Sequence, residues 1–288
     1  MAAQLPPAVD ELIPAALLAR VPGCGAGVPP CEALALTGGG RHNRCFKVTT
    51  REGRFVLRWR ADTGERPGAA AAQELRCHLA AASLGIAPAI FDAAADGQWM
   101  VMEYVDAVPW QDRDLQDPAR LETLGLRLAQ VHDLAPRAVA SLDLRSIIDG
   151  QLGLISARDP SSAARHEALR LEARDLEAGL GRLATRAVLN HGDLAAANLL
   201  GEAPMMVDWE YAQRADPVYD IACLLSYYPV IETNLDVLLG AAGLDDARSR
   251  ASLVLHRRLF GIFNALWAEA QGAAHGDPAG IVLRRSAE

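Results

Sequence analysis

A change of hydrophobic period near residue 106 dictates what this chain can build. Between residues 44 and 60 the text RCFKVTTREGRFVLRWR holds two runs rich in β-branched and aromatic residues, 45–50 and 55–60, separated by a turn at Gly53. That pattern predicts a hairpin. Residues 69–84 switch to helical spacing, with Leu75, Leu79 and Ala82 or Ser83 on one stripe and Gly85 as the stop signal. Short strands follow near 89–93 and 98–104. Beyond Asp106 helices are predicted over 118–134, 141–157, 162–183, 217–228, 232–242 and 246–271, interrupted only by short strands at 187–190 and 205–207. Upstream, a short helix near 9–20 precedes a Pro/Gly-rich loop. The pattern predicts an α+β chain with a small β-rich N-terminal lobe, residues 1–104, and a larger helical lobe, residues 105–288. Ligands favour clefts between such lobes.

Composition narrows the function. With 51% apolar and 22% charged residues, the 288-residue chain suits a soluble globular protein. Apolar runs fall short of a bilayer span, and MAAQLPPAVDEL has neither a basic start nor an apolar core, so no membrane insertion and a cytoplasmic location are expected. A formal charge of −8 disfavours a nucleic-acid surface and favours a cationic partner. The five cysteines, at 24, 31, 45, 77 and 223, lack metal or CxxC spacing and are expected to be reduced, small apolar residues. Lys47 is the single lysine, so a site needing a buried cation must use arginine or Lys47.

Against this apolar background the stretch HGDLAAANLL isolates three polar residues, His191, Asp193 and Asn198, in the spacing H-x-D-x-x-x-x-N. Ten residues beyond Asn198, Asp208 ends the apolar run MMVD. Phosphoryl transfer needs an aspartate to accept or orient a hydroxyl proton, and oxygen ligands to hold Mg²⁺ against the phosphates. Asp193 fits the first role, and Asn198 and Asp208 fit the second. The competing assignment is that Asp and Asn simply form turns. His191 is expected to shape the loop rather than act as acid or base.

Two features of the β-rich lobe suit a nucleotide. Gly38, Gly39 and Gly40 precede the hairpin, where backbone N–H groups without side chains can approach phosphate, although an ordinary flexible turn has the same composition. Strand alternation puts Val56, Arg58 and Arg60 on one face and Phe55, Leu57 and Trp59 on the other. On that first face Val56 is placed to line a base pocket and Arg58 to reach phosphates, with Glu74 of the next helix as its partner. A solvated surface pair is the alternative.

VLNHGDLAAANLL followed by VDWEYAQRADPVYDIACLL resembles the choline/ethanolamine kinase and thiamine kinase branch of the aminoglycoside phosphotransferase-like superfamily, which has a protein-kinase-like fold. GGGRHNRCFKV, FVLRWR, QELRCHLAAASLGIAPAI and VMEYVDAVPW resemble its first lobe and hinge, so the similarity spans about residues 35–230. The resemblance implies ATP and Mg²⁺ as cofactors, Asp193 as catalytic base, and Asn198 and Asp208 as metal ligands. It implies ATP contacts from Gly38, Gly39, Gly40, Asn43, Val56 and the Arg58–Glu74 pair, with Glu103 and Tyr104 at the hinge, and Asp220 as a brace for the catalytic loop. Ala195 departs from the family, where many relatives carry histidine. LFGIFNALWAEAQ resembles a choline kinase segment with two tryptophans; Trp267 keeps one and Asn264 replaces the other. A small cationic alcohol, choline foremost, is the implied substrate, with Glu210, Tyr211 and Trp267 on its side, while Trp209 and Trp267 would equally serve as core. Thiamine and aminoglycosides are the alternative acceptors, and a catalytically silent nucleotide-binding module is the alternative class.

Overall fold

The computed structural model describes residues 13–25, 28–36, 43–60, 68–183 and 186–270. The chain divides into two compact units, with the boundary between Ala107 and Val108. Strands concentrate in the first and helices in the second, an α+β architecture. No helix among the described residues is long and apolar enough to cross a membrane.

The first unit is a five-stranded antiparallel sheet with strands β1 (Glu32–Ala35), β2 (Asn43–Thr49), β3 (Arg54–Arg60), β4 (Ile90–Ala93) and β5 (Trp99–Glu103), in the order β1-β2-β3-β5-β4. Helix α1 is short, Ala15–Leu18, and α2 spans Gly68–Ala82. One face buries Phe46, Val48, Phe55, Leu57 and Val101 against Ile13 and Val21, with Phe46 and Trp59 stacked at 5.3 Å. The period-2 pattern of β3 causes this division: Phe55, Leu57 and Trp59 serve that core, while Val56, Arg58 and Arg60 point the other way. On the second face Leu75 of α2 packs with Met100, Met102 and Val56. Gly97, in the β4–β5 turn, sits at φ +71, and a Cβ there would lie 2.2 Å from the Ala71 carbonyl oxygen. Only glycine lets the turn clamp α2 so closely.

The helix stripe expected from Leu79 is corrected. Leu79 is 46% exposed, and α2 instead buries Ala71, Glu74, Leu75, His78 and Ala81. A carboxylate and an imidazole replace apolar residues on that face because each has a buried partner, arginines for Glu74 and the Pro88 carbonyl for His78. Strand β1 leaves no signal in the sequence, since EALA lacks β-branched residues and owes its conformation to pairing with β2.

The second unit contains α3 (Pro118–Asp133), α4 (Leu144–Arg158), α5 (Ala163–Leu183), α6 (Tyr219–Tyr227), α7 (Leu235–Ala241) and α8 (Ala247–Ala270). Their starts are chemically marked: Asp117 accepts from the Ala119 N–H and precedes Pro118, and Asp143 accepts from the Ser146 N–H. Ile148, Leu152, Ile155, Leu259, Ile262 and Leu266 form the α4–α5–α8 core. Helix α6 is buried from Tyr219 to Leu225, on every side, as a central helix must be. Four strands make two ribbons, β6 (Val188–Asn190) with β9 (Gln213–Ala215), and β7 (Leu199–Leu200) with β8 (Met205–Met206). β7 and β9 escape the sequence pattern and owe their conformation to pairing with β8 and β6. Pro229–Asn234 is a 3₁₀ segment, and α7 therefore begins later than predicted. All five cysteines are free, but Cys31 is exposed, against the expectation of burial. Cys77 fits that expectation, its thiol pushed up to about 12 by burial.

Candidate active site

In the second unit, β6 delivers the chain into the HGD turn. Asn190 and His191 are fully buried, and the His191 and Gly192 N–H groups donate to the two carboxylate oxygens of Asp220 at 2.7 and 2.9 Å. Asp220 lies at the start of the buried helix α6, and its own N–H donates to Asn190 Oδ1 at 3.3 Å. Burial pushes its carboxyl up from the usual range, against the opposing pull of His191 and the two N–H groups. Gly192 has φ +85, and a Cβ there would lie 2.1 Å from the Tyr211 carbonyl oxygen. The turn thus packs directly on the loop that follows Asp208.

His191 ties the two loops together. Its Nε2 donates to the Val207 carbonyl at 2.9 Å, and because a carbonyl only accepts, that nitrogen carries the proton. Nδ1 then accepts from the Asp193 N–H at 3.4 Å. Trp209 packs on the ring at 4.8 Å, is fully buried, and donates to the Met206 carbonyl. Trp209 is therefore core.

The β7–β8 hairpin brings the remaining members together. Leu199 pairs with Met206, and the Val207 N–H donates to the Asn198 carbonyl at 3.0 Å, so Asn198 lies beside the residue preceding Asp208. The Asn198 amide nitrogen donates to the Asp193 backbone carbonyl at 2.9 Å. Since only the NH₂ end can make that bond, Oδ1 is the end left to other partners. Asp193 is itself buried, at 7% exposure. Asp208 adopts the left-handed conformation, φ 67 and ψ 61, one of two described non-glycine residues at positive φ. Such backbone costs free energy and is retained where surroundings over-determine it, often at functional sites. Tyr228 Oη accepts from the Ala196 N–H at 3.2 Å and props the loop from beneath.

The Asp208 carboxylate and the Asn198 amide offer oxygen donors of the kind a hard divalent cation such as Mg²⁺ takes. No group of three or more His, Cys, Asp or Glu residues capable of holding a metal occurs among the described residues.

In the first unit, Glu74 is 1% exposed and accepts from both Arg58 Nη2, through Oε1, and Arg60 Nη2, through Oε2. Both arginine side chains are below 10% exposure, which excludes the solvated surface pair. Asn43, also buried, is paired in register with Arg60, and Cys45 with Arg58. Lys47 Nζ stands 4.5 Å from the centre of the Tyr104 ring. Glu103 ends β5, and its Oε2 accepts from the Ala89 N–H at 3.3 Å. Gly38, Gly39 and Gly40 lie outside the described residues.

Of the substrate-side candidates, Glu210 and Tyr211 lie in the 3₁₀ turn that follows Asp208, with Tyr211 40% exposed. Trp267 is half-buried near the end of α8, remote in sequence from that turn. One turn before it begins a ring cluster of Phe263, Phe260, Tyr227 and Tyr219. Three positions escaped the sequence reasoning: Arg60, although alternation already placed it on the Arg58 face; Gly192, whose signal is a glycine inside the motif; and Tyr228, which carries no local signal.

Comparison with known proteins accords with this fold. A choline/ethanolamine kinase family protein from Mesorhizobium loti superposes with TM-score 0.72 at 21% identity, covering 96% of this chain and 92% of that one. The choline kinase LicA from Streptococcus pneumoniae gives TM-score 0.71 at 18% identity, covering 96% and 95%. A spectinomycin phosphotransferase in complex with ADP and spectinomycin gives 0.61 at 12% identity, covering 90% and 88%. No curated protein matches the sequence. Residues 34–254 match the phosphotransferase enzyme family, and the chain belongs to that family.

Proposed function

We propose that the protein is an ATP- and Mg²⁺-dependent small-molecule kinase that phosphorylates the hydroxyl of a cationic amino alcohol of the choline type. The observation that carries this reading is the Asn198 side chain, whose nitrogen is committed to the Asp193 carbonyl so that its oxygen is the end left for another partner, on a residue whose backbone is bonded to the one preceding Asp208. A turn-forming asparagine has no need of that arrangement. Asn198 and Asp208 would hold the metal, which neutralises phosphate charge. Asp193 accepts the hydroxyl proton as the alcohol oxygen bonds to the γ-phosphorus and the bond to the β–γ bridging oxygen breaks, releasing ADP. Asp220 and His191 hold the turn that aims Asp193.

In the first unit Arg58, oriented by Glu74, binds phosphate, while Asn43, Val56, Glu103 and Tyr104 serve the nucleotide. Glu210 supplies a carboxylate for the substrate's positive nitrogen, with Tyr211 as the adjoining ring; such a ring is worth roughly 0.5–2 kcal/mol to a cation. Trp267 completes the substrate side. The acceptor is tested by coupled ADP release with choline, ethanolamine, thiamine and kanamycin. Choline is expected to give the highest kcat/KM. Turnover of thiamine or kanamycin alone would replace the acceptor, and no ADP release above background with any alcohol would favour a silent nucleotide-binding module.

A further inference from the structure

The β6–β9 ribbon that delivers the catalytic turn has a second end. There, next to Ala187 and Val188, lies a cavity of about 280 Å³ walled by His132, Asp133, Pro136, Val139, Arg186 and Arg214. It lies wholly within the second unit, and none of these residues takes part in the reaction proposed above. A volume of this size lies at the lower end of the range of small-molecule pockets.

The chemistry of the wall is specific. His132 lies in the last turn of α3 at 5% exposure, and its Nε2, sealed from solvent, has no hydrogen-bond partner among the described residues. A buried polar atom left so costs about 1–3 kcal/mol and calls for an explanation. Burial foremost, then the Arg186 guanidinium, pushes its pKa down to about 4, against the raising influence of Asp133 and Asp216, so the ring is neutral at pH 7. Arg186 meets Asp133 only at 4.0 Å, and that pair is exposed, so it contributes little. Arg214 spends one donor on the Ala187 carbonyl at 2.8 Å, which fixes its fork at the cavity wall. Two arginines against one aspartate leave a charge of +1, and Pro136 and Val139 add an apolar surface.

We propose that this cavity binds a small organic anion, its acid group on Arg186 and Arg214 beside the His132 ring and a short apolar tail on Pro136 and Val139. A carboxylate and a phosphate monoester share this chemistry. Both are tested by following the His132 ring signals of histidine-labelled protein by NMR, identified with His132→Asn, during titration with butyrate and with butyl phosphate. One or both should shift the ring signals and raise the ring's pKa, because an anion favours the charged imidazolium. Arg186→Gln combined with Arg214→Gln should weaken binding at least about tenfold, the loss of charge-assisted hydrogen bonds. Arg58→Gln, in the other unit, should leave the titration unchanged, which separates this site from nucleotide-phosphate binding. An unmoved His132 signal with both probes, or binding indifferent to the double substitution, would overturn the proposal.

Discussion

In the first unit a helix carboxylate, Glu74, is gripped by two strand arginines, 16 and 14 residues earlier in the sequence. In the second, the HGD turn and its neighbours are fixed mostly through main-chain groups, by Asp220, His191 and Asn198. The first arrangement stores its stability in buried charge, and the second stores its geometry in the backbone. Damage should therefore differ in kind. Losing the carboxylate should weaken the fold, while losing a turn contact should disturb turnover before stability.

Glu74→Ala is expected to have the largest effect on stability. It strands two buried guanidiniums, and removing one partner of a buried charge cluster costs about 3–5 kcal/mol. Urea unfolding of the first unit's transition, followed by tryptophan fluorescence, checks it; a cost near zero would mean that water satisfies the arginines. Asp220→Asn probes the other side. An amide can accept from only one of the His191 and Gly192 N–H groups and presents NH₂ to the other, a loss of about 2 kcal/mol. Here the drop in kcat should exceed what the stability loss accounts for at temperatures where the variant remains folded, and a normal kcat would break the comparison. Arg60→Gln should cost least, about 1.5 kcal/mol, because the Arg58–Glu74 pair that remains is neutral and the amide can still donate. It leaves Arg58 on Glu74 but frees the carboxylate's second oxygen, so KM for ATP should rise with kcat nearly unchanged. Equal losses in both would show that Arg60 acts in the transition state.

The same contrast explains what the sequence made legible. The candidate catalytic stretch sets isolated polar residues in an apolar frame, so spacing marks Asp193, Asn198 and Asp208 as candidates. The Arg58–Glu74 pair is legible through strand alternation and the helix that follows. Arg60 is not, because alternation names a face and cannot show that one carboxylate serves two cations. The α2 stripe misleads for a related reason: hydrophobic period ranks Leu79 above Glu74, whereas burial follows the partners available. β7 and β9 exist through pairing with β8 and β6, strands equally short that apolar runs mark in the sequence. Tyr228 reaches the loop from 32 residues away, a tertiary contact no local pattern records.

The central claim is that Asp193 takes the hydroxyl proton at a site whose donors are otherwise intact. The most direct measurement is steady-state ADP release by Asp193→Ala beside nucleotide affinity measured calorimetrically on the same protein. A general base contributes roughly 10²–10⁴-fold, so kcat should fall by about that factor while ATP affinity stays within a few-fold of the parent. Near-parental turnover, or loss of ATP binding together with turnover, would contradict it.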